Sequence, residues 1–161
     1  MRLVLIFTAA FALSACSDEP EADNAPTDYA AINKAAVAPP APITPDVITF
    51  AEIEKYNLFG AGCNVPDPSG EGLYLIADDT AAYFLLDGKL IDLAPVPGSE
   101  QLPYGTLSRY DGLAHSIELT IDTDSEDVEA PEVVNYQGHL VIRDEMDRPV
   151  FEQVGLVVCG A

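Results

Sequence analysis

Two histidines and one run of acids are the residues in this 161-residue chain with the most chemistry to offer. His115 and His139 each lie close to a glycine-containing turn and begin a predicted strand. Neither stands in a GxSxG, HExxH or reactive-cysteine context. A Ser/His/Asp site is assembled in space rather than in sequence, so motifs alone do not decide against one. Two strand-end histidines nonetheless predict a protein that binds rather than catalyses, with no cofactor. The run DTDSEDVEAPE holds six carboxylates in eleven residues, from Asp122 to Glu132. Asp122, Asp124 and Glu126 match positions 1, 3 and 5 of a calcium loop. The sixth position, which needs glycine, is Asp127, and the twelfth, which needs a bidentate glutamate, is Val133. The three acids are therefore weak metal candidates, and the run is expected to be a solvated, mobile hairpin loop. Tyr74, Tyr83, Tyr104, Tyr110 and Tyr136 could build a carbohydrate platform beside carboxylates, although tyrosine is also an ordinary strand residue.

The cysteines bear on location. Arg2 is followed by an apolar run from Leu3 to Leu13, broken only by Thr8, and then by Ser14 and Ala15. That is the three-part pattern of a secretory signal, in a run shorter than the roughly 20 residues that span a bilayer. Leu13-Ser14-Ala15-Cys16 resembles the lipobox of bacterial lipoproteins. The resemblance implies cleavage before Cys16 and acylation of its thiol and new amino group; the alternative is an ordinary signal that leaves Cys16 free. With Cys16 lipidated, Cys63 and Cys159 remain as the one possible pair, and export places them where disulfides persist. A bridge would close nearly a hundred residues and contribute roughly 4–5 kcal/mol in the chain-entropy model. The spacing suits neither a CxxC redox motif nor a four-ligand zinc site. Several acyl chains anchor durably where one is marginal. Ser17, not aspartate, follows Cys16, which by the enterobacterial sorting rule implies the outer membrane with the domain facing the periplasm. The inner membrane and the cell surface are the other destinations.

Residues 1–15 thus read as a signal peptide and 16–43 as a lipidated, disordered tether. Prolines at 20, 26, 39, 40 and 42, alanines between them and five early acids leave too little apolar surface for a core. In polyproline II form the tether would reach roughly 80 Å, at about 3.1 Å per residue. A short helix over 29–37 is the alternative there. Beyond the signal, 27 acids face six bases, a net charge of −21. Such a chain repels nucleic acid and anionic membrane surfaces, so anchoring falls to the lipid. It attracts a cationic partner or divalent ions, unless the charge serves solubility alone.

The folded domain is predicted over 44–161, enough for one core. Thr49-Phe50-Ala51-Glu52 is a capping box opening a helix of about two turns that Gly60 would cap. Asn64 to Gly70 reads as loop. Strands follow at Leu73–Ala77, Ala82–Leu86, Lys89–Leu93, Thr106–Tyr110, His115–Asp122, Val133–Tyr136, His139–Arg143 and Val150–Cys159. Asp87-Gly88 is a type I′ hairpin signal, and Pro95–Pro103 reads as loop. In His115–Asp122, Ile117, Leu119 and Ile121 alternate with polar residues, as in a half-exposed antiparallel strand. The expectation is a mainly β domain, a small antiparallel barrel or sandwich of seven to eight strands with one short N-terminal helix, fastened by a disulfide.

An exported lipoprotein with a cystine-tied small barrel resembles the membrane-bound inhibitors of c-type lysozyme. Leu86-Asp87-Gly88-Lys89 is similar to a strand-ending turn of that family. Gly98-Ser99 ahead of Tyr104 stands where the family has a serine–glycine pair before a tyrosine, in reversed order and with wider spacing. The resemblance implies that Ser99 would hydrogen-bond the catalytic carboxylates of lysozyme. The family's second motif supplies a lysine that Tyr110–Glu118 lacks, leaving Arg109 or Lys89 to substitute. The partner-binding set is therefore Ser99, Gly98, Tyr104, Arg109 and Lys89. The functional expectation is a lipid-anchored binding protein of the bacterial envelope whose partner is a basic protein such as lysozyme. The alternatives are an envelope lipoprotein with a structural or protein-interaction role, and a weak cation-binding module.

Overall fold

The computed structural model describes residues 38–161; the signal-like segment, Cys16 and most of the expected tether lie outside the described residues. One short helix, α1 (Phe50–Tyr56), precedes eight strands: β1 (Gly62–Pro66), β2 (Leu73–Ala77), β3 (Ala82–Leu86), β4 (Lys89–Pro95), β5 (Arg109–Asp111), β6 (His115–Ala130), β7 (Val133–Asp144) and β8 (Pro149–Gly160). Each strand pairs antiparallel with the next, and β8 returns to β1. The fold is a closed up-and-down barrel rather than a sandwich. Asp87 and Gly88 carry φ of 50° and 70°, the type I′ turn that joins β3 to β4.

Alternation fills the bore. Ile117 and Leu119 of β6 point inward opposite Ile142 and Leu140 of β7, and Leu75, Phe84, Leu93, Tyr110 and Val157 close around them. At Gly138 a Cβ would lie 2.4 Å from the Thr120 carbonyl oxygen and 2.6 Å from a Val157 methyl, so glycine alone fits between β6 and β8. The disulfide Cys63–Cys159 joins directly paired residues of β1 and β8. At the far end Ile43 packs against the core and donates to Val150 at 3.0 Å, while Asp46 bridges Leu85 and accepts from Gly88, and the fully buried Ile48 bridges Leu73 and joins the cluster on the outer face of β2 and β3. At the disulfide end the β4–β5 loop turns Leu102 and Thr106 inward. α1 covers the outer face of β2 and β3, where Ile53 and Tyr56 pack on Ile76 and Leu85.

Five sequence expectations are corrected. The capping box forms, with Glu52 accepting from the Thr49 backbone at 3.1 Å, but Asn57 ends the helix in left-handed conformation before Gly60 is reached. Asparagine adopts that conformation readily, and Leu58 N–H closes onto Ile53. Asn64–Pro66 is strand, because pairing with β2 and β8 overrides its loop-like composition and Pro66 falls at a register shift. Within Thr106–Tyr110 only Arg109 and Tyr110 join a strand; Leu107 bridges Gln101 instead. The acidic run is strand as far as Ala130, with the turn confined to Pro131 and Glu132. Its backbone is held by β7 although its side chains are polar and exposed, so tertiary pairing decides what composition did not. Val133–Tyr136 and His139–Arg143 are one strand, β7.

Candidate partner-binding surface

The β4–β5 loop is built in two parts. Val96–Ser99 is a turn in which Gly98 holds φ +85°, and the Ser99 backbone and hydroxyl both donate to Val96 O, at 3.2 and 2.8 Å. A miniature hairpin then runs from Glu100 to Ser108, tied by Ser108 N–H to Glu100 O at 2.8 Å and Leu102 N–H to Thr106 O at 2.8 Å. At its tip Tyr104 stands at φ 55°, ψ 29° and Gly105 at φ +81°. The left-handed region costs a residue with a Cβ about 1–2 kcal/mol, and such strain is kept where the surroundings over-determine it. Here they do: the Pro103 carbonyl oxygen lies 3.6 Å from Cys63 Sγ, and the buried Thr106 donates to Ala77 O at 3.0 Å. Tyr104 is thus presented, 36% exposed, on a rigid plug.

Tyr110 is the second tie. Its hydroxyl donates to Asp78 O and accepts from Leu107 N–H at 2.7 Å, joining the loop to the β2–β3 turn. Burial, aided by the nearby Asp78 and Asp79 charges, pushes its ionisation up to about 12. Tyr110 and Tyr136 are buried and Tyr74 and Tyr83 half-buried, which leaves Tyr104 as the exposed one of the five.

The expected partner-binding residues are not all brought together. Ser99, Gly98 and Tyr104 share the loop at the disulfide end. Lys89 opens β4, whose seven residues separate it from that loop by roughly 20 Å at about 3.3 Å per residue. Arg109 is exposed on β5, its backbone bonded to Val96 at the base of the loop, and its side chain lines an open hollow with Asp111, His115 and Asp147. Arg143 pairs with Glu118 at 3.3 Å and Asp147 at 3.7 Å, and Arg148 with Asp144 at 2.6 Å. The Arg148 hydrogen bonds hold the Asp144 carboxyl down at about 2.

Asp122, Asp124 and Glu126 surround a bulge, where the β6–β7 register jumps from Asp122–Gln137 to Asp127–Asn135. Ser125 fastens it, accepting Gln137 N–H at 2.7 Å and donating to Asp122 O. An Asp122 oxygen takes the Asp124 N–H at 3.0 Å and Glu126 takes the Tyr136 hydroxyl at 3.3 Å. No three acid, histidine or cysteine side chains converge as metal ligands among the described residues. His115 stands edge-on to Phe84, with ring centres 5.5 Å apart, and His139 Nε2 lies 3.5 Å from Glu152 on the outer face.

Sequence reasoning placed Ser99 and Tyr104 in one loop but missed the strain at Tyr104 and the anchoring by Thr106 and Tyr110. A tyrosine followed by glycine at 104–105 is the one local sign of a positive-φ turn. No family, curated protein or solved structure matches the chain.

Proposed function

We propose that this chain is a lipid-anchored protein of the bacterial cell envelope whose barrel binds a cationic protein, a c-type lysozyme being the partner it suits best. What supports the reading is the filled bore: apolar side chains occupy it, and Leu102 and Thr106 close its disulfide end, so recognition falls to the outer surface. Residues 44–161 set 22 acids, all but the buried Asp67 at least partly exposed, against five bases, and Arg143 and Arg148 are already paired to acids. A field of that sign accelerates encounter with a basic enzyme and selects against acidic partners. The Gly98–Tyr104 loop supplies a rigid contact beside it. To reach a carboxylate in lysozyme, the Ser99 hydroxyl must swing its proton away from Val96 O, a rotation that costs one hydrogen bond.

The test is inhibition of a c-type lysozyme at physiological salt by the chain from residue 17 onward, with cytochrome c as a basic control. Inhibition weakened at least tenfold by Ser99→Ala, without comparable cytochrome c binding, supports the reading; no inhibition, or equal binding to both proteins, sinks it. Acyl labelling of the full chain that survives Cys16→Ser would refute the anchor. The distance of Lys89 from the loop favours a second reading, an envelope interaction protein without lysozyme contacts. That reading predicts recovery of an envelope protein after crosslinking in cells and no effect on lysozyme.

A further inference from the structure

Hydrogen-bond parity along the last three strands exposes a feature that the loop does not use. Leu119 N–H donates to Ser108 O on the β5 side of β6, and Gln137 N–H donates to Ser125 on the β6 side of β7. On β7, then, odd-numbered residues face β6 and even-numbered ones face β8. With residues paired as Leu140–Gln153 and Ile142–Phe151, β8 gives its odd-numbered backbone groups to β7 and turns the even-numbered ones away. β1 pairs with Val158 and Gly160, and Ile43 takes the Val150 carbonyl at 3.0 Å. Between them Glu152, Val154 and Leu156 are paired with no residue of β1, and no loop backbone bonds them among the described residues; along the β1–β8 register Leu156 falls opposite Pro66, which has no N–H to offer. Val154 is 76% exposed and Leu156 42% exposed beside this open row.

We propose that the free edge of β8 is a strand-addition site for an extended cationic segment of the partner, with Lys or Arg alternating with apolar residues. The inference rests on the reading that the partner is cationic. An edge that offers alternate donors and acceptors next to exposed apolar side chains is a template for an incoming strand. Charge decides which strand. Glu152 stands in the row itself, and Gln137, paired with Leu156, has Asp122 on its other side. β8 carries no lysine or arginine. A second copy of the domain, with 22 acids to five bases, is repelled from this edge, whereas a basic strand gains both main-chain hydrogen bonds and ion pairs.

Two probes test this: c-type lysozyme, and a nine-residue peptide of alternating Lys and Val with its Lys-Pro counterpart as control. With lysozyme bound, amide exchange at Glu152, Val154 and Leu156 is expected to slow at least tenfold. Slowing confined to the Gly98–Tyr104 loop would overturn strand addition and leave the functional reading intact. If lysozyme does not bind, that reading fails and the peptide decides alone. Binding of the Lys-Val peptide is expected to be at least tenfold tighter than that of Lys-Pro, which lacks every second N–H, and to weaken at least tenfold in Val154→Ser/Leu156→Ser. Those side chains face solvent, so the variant should keep its fold, checked by circular dichroism. No peptide binding, equal binding of the two peptides, or insensitivity to the double variant refutes the site.

Discussion

Breaking the Cys63–Cys159 bridge asks what holds the barrel shut. β1 meets β8 only through Gly62–Gly160, Cys63–Cys159 and Asn64–Val158, whereas β7 pairs with β8 along nearly its whole length. The bridge spans a sequence separation of 96 residues. A loop of that size loses enough unfolded-state entropy on cross-linking to contribute about 4–5 kcal/mol at 25 °C. Against a total of roughly 5–15 kcal/mol for an ordinary domain, most of the stability is then at stake. Urea unfolding of Cys63→Ala/Cys159→Ala, made in a Cys16→Ser background to exclude a stray thiol, is expected to show that loss. The melting temperature should fall by roughly 15–25 °C, given a few degrees per kcal/mol at this size. The m-value should rise, because the uncrosslinked chain exposes more surface on unfolding. A loss below about 1 kcal/mol would refute the reasoning, and would mean that core packing and the short β1–β8 ladder close the barrel unaided.

Three further outcomes are expected. Tyr110 has its ionisation raised from 10 to about 12 by burial, so its contribution is complete below pH 10 and is lost as pH rises through 12. Tyr110→Phe should be less stable at neutral pH but should lack this alkaline fall of about 2–3 kcal/mol, measured by unfolding between pH 9 and 12. Asp144 is held at about 2, below its ordinary value, by Arg148, so its contribution is present above pH 4 and is lost as pH falls through 2. Asp144→Asn should flatten the melting-temperature profile over that window; an unchanged profile would show that the pair adds nothing. Tyr104→Gly should raise stability by about 1 kcal/mol through relief of the left-handed backbone while weakening lysozyme inhibition, and a loss of stability would show that the ring is needed for packing.

Local rules made the class of the fold legible, because each inward residue of β6, from Ile117 to Ile121, is separated by one polar residue, and because Asp87-Gly88 names its own turn. Closure was half legible: the Cys63–Cys159 pairing tied the first element to the last across nearly a hundred positions, but composition left barrel and sandwich both open. The acidic run misled for a different reason. Its side chains carry no burial signal, and only its partner β7 makes a strand of it. The candidate site was half legible: glycine, serine and proline announced the β4–β5 loop, but nothing local reveals that Thr106 is buried beneath it or that Tyr104 is strained. Lys89 and Arg109 were chosen by charge alone, and charge carries no information on which end of a barrel a residue occupies.

Solubility is a poor account of where the acids stand. Any scatter of carboxylates over the surface would keep the domain soluble, and charge on a free strand edge has the added effect of blocking edge-to-edge association. β6 beyond Thr120 has such an edge, since β5 pairs with it only as far as Glu118, and Asp122, Asp124, Glu126, Asp127 and Glu129 all lie along it. β8 has another among the described residues, and there Glu152, 3.5 Å from His139 Nε2, is the one acid beside Val154 and Leu156. If protection were the whole purpose, both edges would be charged. If the proposed strand addition holds, the acidic edge of β6 and the apolar edge of β8 divide the work of capturing a basic strand into steering and seating. The division has a kinetic signature: raising salt should slow association with a cationic partner by screening the β6 acids, while dissociation, set by main-chain bonds and apolar contact at β8, should change little.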